Sequence, residues 1–304
     1  MSKADIALVL ALCAALALAF GNVIRQRSAQ EITDEPLGHL ALFRKLLGDT
    51  RWWLGSGSAV ASYGLLAAAL GLGSVMLVTA LQVTALLFAL PIYARLTHHR
   101  VTRWEWTWAV LLAVALAVFI TLGDPQAGRS RGSLTTWVVV AVVMGPLLVA
   151  CVLGARIWPG RPGAVLLAMV SGSSFAVSAV LTKGIVDALG NGFGALLRAP
   201  ELYVWIPIAL TGVIFQQSAF RAGALTASMP TVIVAEPVVA SVLGAIVLGE
   251  TLHATGPKIF ALAAAVLMLI VATWALARGK AATIAARAGR DVETTAESEV
   301  PSDR

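Results

Sequence analysis

Nine runs of 17 to 25 almost uncharged, apolar residues recur along this chain, and that pattern limits its fold more than any other feature. They extend from Ile6 to Val23, Trp53 to Leu70, Ser74 to Ala94, Trp106 to Leu122, Leu134 to Leu153, Ala164 to Leu181, Tyr203 to Phe220, Ala224 to Leu248 and Ile259 to Leu276. A helix needs about 20 apolar residues to cross a hydrocarbon core roughly 30 Å thick, so each run reads as a spanning helix. The expected fold class is all-α, a polytopic membrane bundle of nine or ten transmembrane helices. With 59% hydrophobic and 12% charged residues, the chain carries about half the charge usual for a soluble domain, which is near 25%. Its 304 residues therefore read as one bundle rather than two soluble domains.

The uncertain span lies between the first two runs. Glu31 to Thr50 contains an amphipathic pattern from Pro36 to Leu47 that is broken by Arg44 and Lys45, and it reads as an interfacial helix or a degenerate tenth span. Tryptophans 52, 53, 104, 106, 137, 158 and 274 fall at or near run ends, as an aromatic belt would place them. If Glu31 to Thr50 crosses, 15 of the 22 basic residues share the C-terminal side; if it does not, 16 do. Either count puts the C-terminus in the cytoplasm of a bacterial cell, with the spans in the inner membrane. The net charge of +6 is thereby explained without nucleic acid. The first run is long enough to span and lacks a small-x-small cleavage site, so it reads as a helix rather than a signal peptide. Cys13 and Cys151 lie inside apolar runs and indicate neither a disulfide framework nor a zinc site. Residues 278–304 turn basic and then acidic, which suggests a cytoplasmic tail with a disordered end.

One charge interrupts the pattern. Glu236 is the sole charged residue between Gly223 and Gly249, and as a helix this stretch would be about 40 Å long, with Glu236 near its middle. An ionisable group at that depth costs at least a few kcal/mol and usually faces a pathway or a partner. Pro230 and Pro237 bracket it, and each removes a backbone donor, so this helix is expected to kink or partly unwind, as transporter helices do around a midplane site. The functional reading is a cation- or proton-binding carboxylate; the plainer one is a protonated acid bonded to a neighbouring helix.

The two halves look alike at a spacing of about 150 residues. Ala69-Leu-Gly-Leu-Gly73 is matched by Ala219-Phe-Arg-Ala-Gly223, each followed by a long run, a polar turn and a last apolar helix. The expected units are residues 1–133, with a degenerate second helix, and 134–277. Transporters built from repeats place their substrate site at the interface between them.

Several motifs resemble the drug/metabolite transporter (DMT) superfamily, whose members look like two inverted five-helix halves. They are Gln216 to Pro230, Glu236-Pro237 and Leu248-Gly-Glu250-Thr-Leu252, with Gly21-Asn-Val-Ile-Arg-Gln26, Leu70-Gly-Leu-Gly-Ser74, Leu86-Leu-Phe-Ala-Leu-Pro91 and Arg103-Trp-Glu-Trp106 in the first half. They are most similar to the EamA-type permeases and the NIPA magnesium transporters, over about residues 5 to 277. The resemblance implies a secondary transporter of a small solute, with a magnesium permease as the alternative. A non-transporting membrane accessory protein is a third reading.

The remaining candidates are weaker. Gln82, on the long helix of the first half, is the best candidate to face Glu236, against even odds that it only bonds helix to helix; Gln216 and Gln217 share that ambiguity. Arg25 could pair with an anionic substrate or with Glu236, although a basic residue at a helix end more often snorkels to the interface. Lys183 is expected just beyond its span, paired with Asp187 at i,i+4, and Glu250 is expected to be a structural boundary residue. Gly55-Ser-Gly-Ser58 and Ser171-Gly-Ser-Ser174 read as helix-packing patches, and His98-His99 as headgroup contacts. No nucleophile and base pair, no ATP-binding motif and no metal motif is evident, so no enzyme activity and no cofactor are expected, and the metal question stays open. The partners implied are a small-molecule or ion substrate and the lipid bilayer, with a homodimer left open.

Overall fold

The computed structural model describes residues 3–32, 50–97, 103–222, 225–253, 256, 258–276 and 278. Helices dominate: α1 (Lys3–Ile32), α2 (Thr50–Leu72), α3 (Val75–Gln82), α4 (Ala85–Thr97), α5 (Arg103–Gly123), α6 (Leu134–Ile157), α7 (Arg161–Gly190), α8 (Phe193–Arg198), α9 (Pro200–Ala222), α10 (Leu225–Leu248) and α11 (Lys258–Leu276). Two-residue strands β1 (Pro125–Gln126) and β2 (Thr251–Leu252) pair antiparallel. Among the described residues, seven helices, α1, α2, α5, α6, α7, α10 and α11, are long and apolar enough to cross a bilayer, and Val75–Ala89 and Pro200–Gln216 are shorter apolar stretches. The chain is a multi-pass membrane protein. The basic tail and His98-His99 lie outside the described residues, apart from Arg278, whose guanidinium stacks 5.0 Å from the Trp274 ring centroid.

Small residues set the helix contacts. Ser58 and Ser62 of α2 donate to the carbonyls of Ala17 and Ala14 at 2.7 Å each, and a methyl placed on Gly21 would lie 2.7 Å from Gly55 O. Rising positions on α2 thus meet falling positions on α1, and the two helices are antiparallel. Ile32 and Thr50 therefore lie at the same end of the bundle. In the second half, Ser171 of α7 donates to Gly212 O of α9 at 2.8 Å, the Phe175 ring fills the space left by Gly212, and Trp205 Nε1 donates to Thr182 at 3.1 Å. The two serine-rich patches hold helices together, as small polar residues do in lipid, where no hydrophobic force drives association.

The core sits where α3, α7 and α10 meet, with Leu81, Val78, Val180, Leu243 and Leu248 buried within it. α7 is the most enclosed span and α6 the most lipid-facing. Neither proline breaks α10, which remains one helix from Leu225 to Leu248 with Pro230 and Pro237 inside it. In the long helix of the first half, by contrast, the regular α-helix is interrupted at Val83 and Thr84, where the backbone stays helical. Between α3 and α4, Val83 N–H bonds Ala80 O at 3.2 Å and Thr84 N–H bonds Leu81 O at 2.9 Å, a local tightening to i−3 bonds. The Thr84 hydroxyl competes for the same Leu81 carbonyl at 2.6 Å. No proline lies at this interruption.

Candidate functional site

Glu236 lies midway along α10, on the face that carries the buried Val232, Ala240 and Leu243, yet it is only half-buried itself. The backbone around it presses against Gly172 of α7. A methyl on Gly172 would lie 2.7 Å from Ala235 Cβ, 3.1 Å from Val232 O and 3.2 Å from Glu236 N. No hydrogen bond or ion pair to the Glu236 carboxylate occurs among the described residues. A carboxylate on an inner face without a protein partner is open to a proton, a water or a solute.

Gln82 is the last residue of α3, at the break, and its Oε1 is buried without a hydrogen-bond partner. Its depth can be compared with that of Glu236 because Met76 of α3 is level with Gly244 of α10, where a methyl would be 3.7 Å from Met76 Cγ. From that level Gln82 is about 9 Å along α3 and Glu236 about 12 Å along α10, so their depths differ by about 3 Å. The two helices pack together, and the best sequence candidates thus come from both halves at one level. Gln216 is half-buried on α9, about one turn beyond the Gly212 contact and farther toward the opposite end. Pro230 and Pro237 are both buried on α10. Arg25 and Gln217 belong to α1 and α9, and their side chains lie outside the described residues.

Lys183 overturns what the sequence suggested, whereas Glu250 has the structural role expected of it. Lys183 is inside the span Pro162–Gly190, not beyond it, and is 4% exposed. Its Nζ lies 3.0 Å from Glu250 Oε1, while Asp187 pairs with Arg131 at 3.3 Å. The physical reason is competition: a buried ammonium gains more from a fully desolvated carboxylate than from a half-exposed one one turn along its own helix. Glu250 does more than mark a boundary. Its Oε1 also accepts from Val75 N–H at 2.6 Å and its Oε2 from Met76 N–H at 3.0 Å, so it satisfies two amide donors at the start of α3 that have no intrahelical acceptor. Gly244 makes this possible, since a methyl there would lie 2.6 Å from Glu250 Oε2.

Above this cluster the chain is stitched across the halves. β1, after α5, pairs with β2, before α11; Arg129 N–H donates to Leu248 O at 2.7 Å, and His253 N–H to Gly123 O at 2.8 Å. Gly128 lies so close to Leu248 O that no side chain fits there. Arg131 also approaches Glu201 Oε1 at 3.6 Å. A charge isolated in an apolar run was the signal that exposed Glu236, and the same test applied to Lys183 would have found this cluster. Among the described residues, no three His, Cys, Asp or Glu side chains gather as a metal-binding set.

Comparison with known proteins gives a relative without an assigned role. An uncharacterized protein of Corynebacterium glutamicum is 35% identical over 274 residues, covering 90% of this chain and 95% of the relative. No protein-family profile matches the chain. No solved structure matches it either.

Proposed function

The chain belongs to the same family as that corynebacterial protein, and from the geometry of its core we propose that it is a secondary transporter of a small metabolite or drug-like solute, of the DMT type. One observation carries the reading: Glu236 keeps accessible surface on an inner helix face, opposite a glycine and level with the unpaired Gln82. A sealed structural bundle would not leave a carboxylate and an amide oxygen at one depth without partners, because each costs free energy that only a solute, proton or water can offset.

The helix order supports an inverted repeat of four helices. α1 runs against α2 and packs on α3 and α4, while α7 runs against α9 and packs on α10, so α7, α9, α10 and α11 match α1, α2, α3 with α4, and α5 in opposite directions. In this reading α6 is an added span at the edge. With nine crossings and 16 of the 22 basic residues on the C-terminal side, the C-terminus faces the cytoplasm of the bacterial inner membrane. Coupling is to a proton or to the solute's own gradient, with Glu236 as the titrating group.

The test is flux in proteoliposomes for amino acids, organic cations and magnesium, with and without a pH gradient. One class of solute should move, and Glu236→Gln should abolish that movement while expression is kept. Wild-type flux from the Glu236→Gln protein would sink the assignment of the site, and no flux of any class would sink transport.

A further inference from the structure

We propose that Lys183, Glu250 and the amino end of α3 form a latch that closes one end of the bundle over Gln82 and Glu236, and that α3 swings on the Val83–Thr84 break when it opens; this rests on the transport reading above. The parts come from both repeats. α3 belongs to the first, and Lys183 on α7 and Glu250 after α10 belong to the second.

Among the described residues, the two bonds to Glu250 are the only hydrogen bonds that tie α3 to another element. Its other polar groups serve α3 and its break: Ser74 caps Leu77 N–H, Thr79 bonds Val75 O and Thr84 bonds Leu81 O. The rest of the α3 surface is Val75, Met76, Leu77, Val78, Ala80 and Leu81, whose contacts are non-directional and survive sliding. α3 is therefore a short rigid unit with one polar anchor at its start and a weakened backbone at its finish. Gln82 sits at that finish, so any motion of the anchor is passed to the candidate site.

Release leaves the Lys183 ammonium a second partner, while the freed Glu250 carboxylate must take up water or a proton. Asp187 stands one turn from Lys183 on the same helix face, and Arg131, which pairs with Asp187 at 3.3 Å, has Glu201 at 3.6 Å as a second partner. Lys183 can pass from Glu250 to Asp187 while Arg131 keeps Glu201. The pair that the local sequence suggested is then the partner of the open state.

The experiment reads access and needs no solute. Cys13 and Cys151 are replaced by Ser, Thr79→Cys is introduced one turn inside the latch, and a membrane-impermeant thiosulfonate is applied to vesicles of either orientation. From the latch side, the parent should be nearly inert, and both Glu250→Gln and Lys183→Met/Glu250→Gln should react at least tenfold faster. Rates within twofold of the parent in variants that remain folded would overturn the latch. So would failure of the doubly neutral variant to fold, since the cluster would then be a permanent structural element. Faster labelling with no flux for any solute tested would leave the latch standing and remove transport.

Discussion

The ammonium of Lys183 and the carboxylate of Glu250, 67 positions apart in sequence, meet at 3.0 Å in the interior, and the same carboxylate holds the first two amides of α3. One side chain thus answers to a cation and to a helix terminus at once.

That double duty predicts unequal variants. Lys183→Met leaves a buried carboxylate without its counter-charge and should cost about 3–5 kcal/mol. Glu250→Gln together with Lys183→Met should recover part of it, because no charge stays buried, although one amide oxygen then replaces the two that held α3. Reversing the charges, Lys183→Glu with Glu250→Lys, should not recover it, since a lysine has no acceptor for Val75 and Met76. Thermal unfolding of the purified protein in detergent measures all of these; equal losses in the single and double neutral variants would refute the account.

Glu236→Gln should behave in the opposite way. No described residue pairs with the Glu236 carboxylate, so removing its charge breaks no ion pair. The variant should unfold at the wild-type temperature or above it, while flux is lost. A large drop in unfolding temperature would reveal a structural partner and favour the plainer reading of this acid.

Gly172→Ala probes how closely α7 must approach α10. The added methyl meets Ala235 Cβ at 2.7 Å and backbone atoms at 3.1 and 3.2 Å, none of which can move alone. Overpacking of this kind costs about 1–3 kcal/mol. Gly57→Ala on α2, where a methyl meets nothing within 4 Å, is the control and should be silent in the same unfolding measurement.

Ser58→Ala and Ser62→Ala each delete one bond from α2 to α1, at 2.7 Å. Interhelical bonds in lipid average about 0.6 kcal/mol, so each change should be small and the pair nearly additive. A collapse of the double variant would mean that these hydroxyls do more than join two helices.

The features legible in the sequence were the local ones. Apolar runs marked the spans, and the isolation of Glu236 marked the level of the candidate site. Glycine and serine patches marked the close crossings of α1 with α2 and of α7 with α9. What stayed hidden depends on partners distant in sequence. Nothing near Lys183 points to Glu250, and Asp187, four residues on, gave a plausible wrong partner. Pro230 and Pro237 suggested a kink or partial unwinding of α10, which is assigned as one helix from Leu225 to Leu248. The interruption at Val83 and Thr84 carries neither glycine nor proline and shows only as a local change to i−3 bonds.

The antiparallel fit of α1 on α2 also has a bearing on how copies of this chain can be joined. On the nine-crossing reading proposed above, Lys3 and Leu276 end up on opposite faces of the membrane. Two copies fused tail to head cannot both insert in the native orientation unless the linker itself crosses the bilayer. A tethered dimer therefore needs one engineered span, and reporter domains placed at the two termini will sample different compartments.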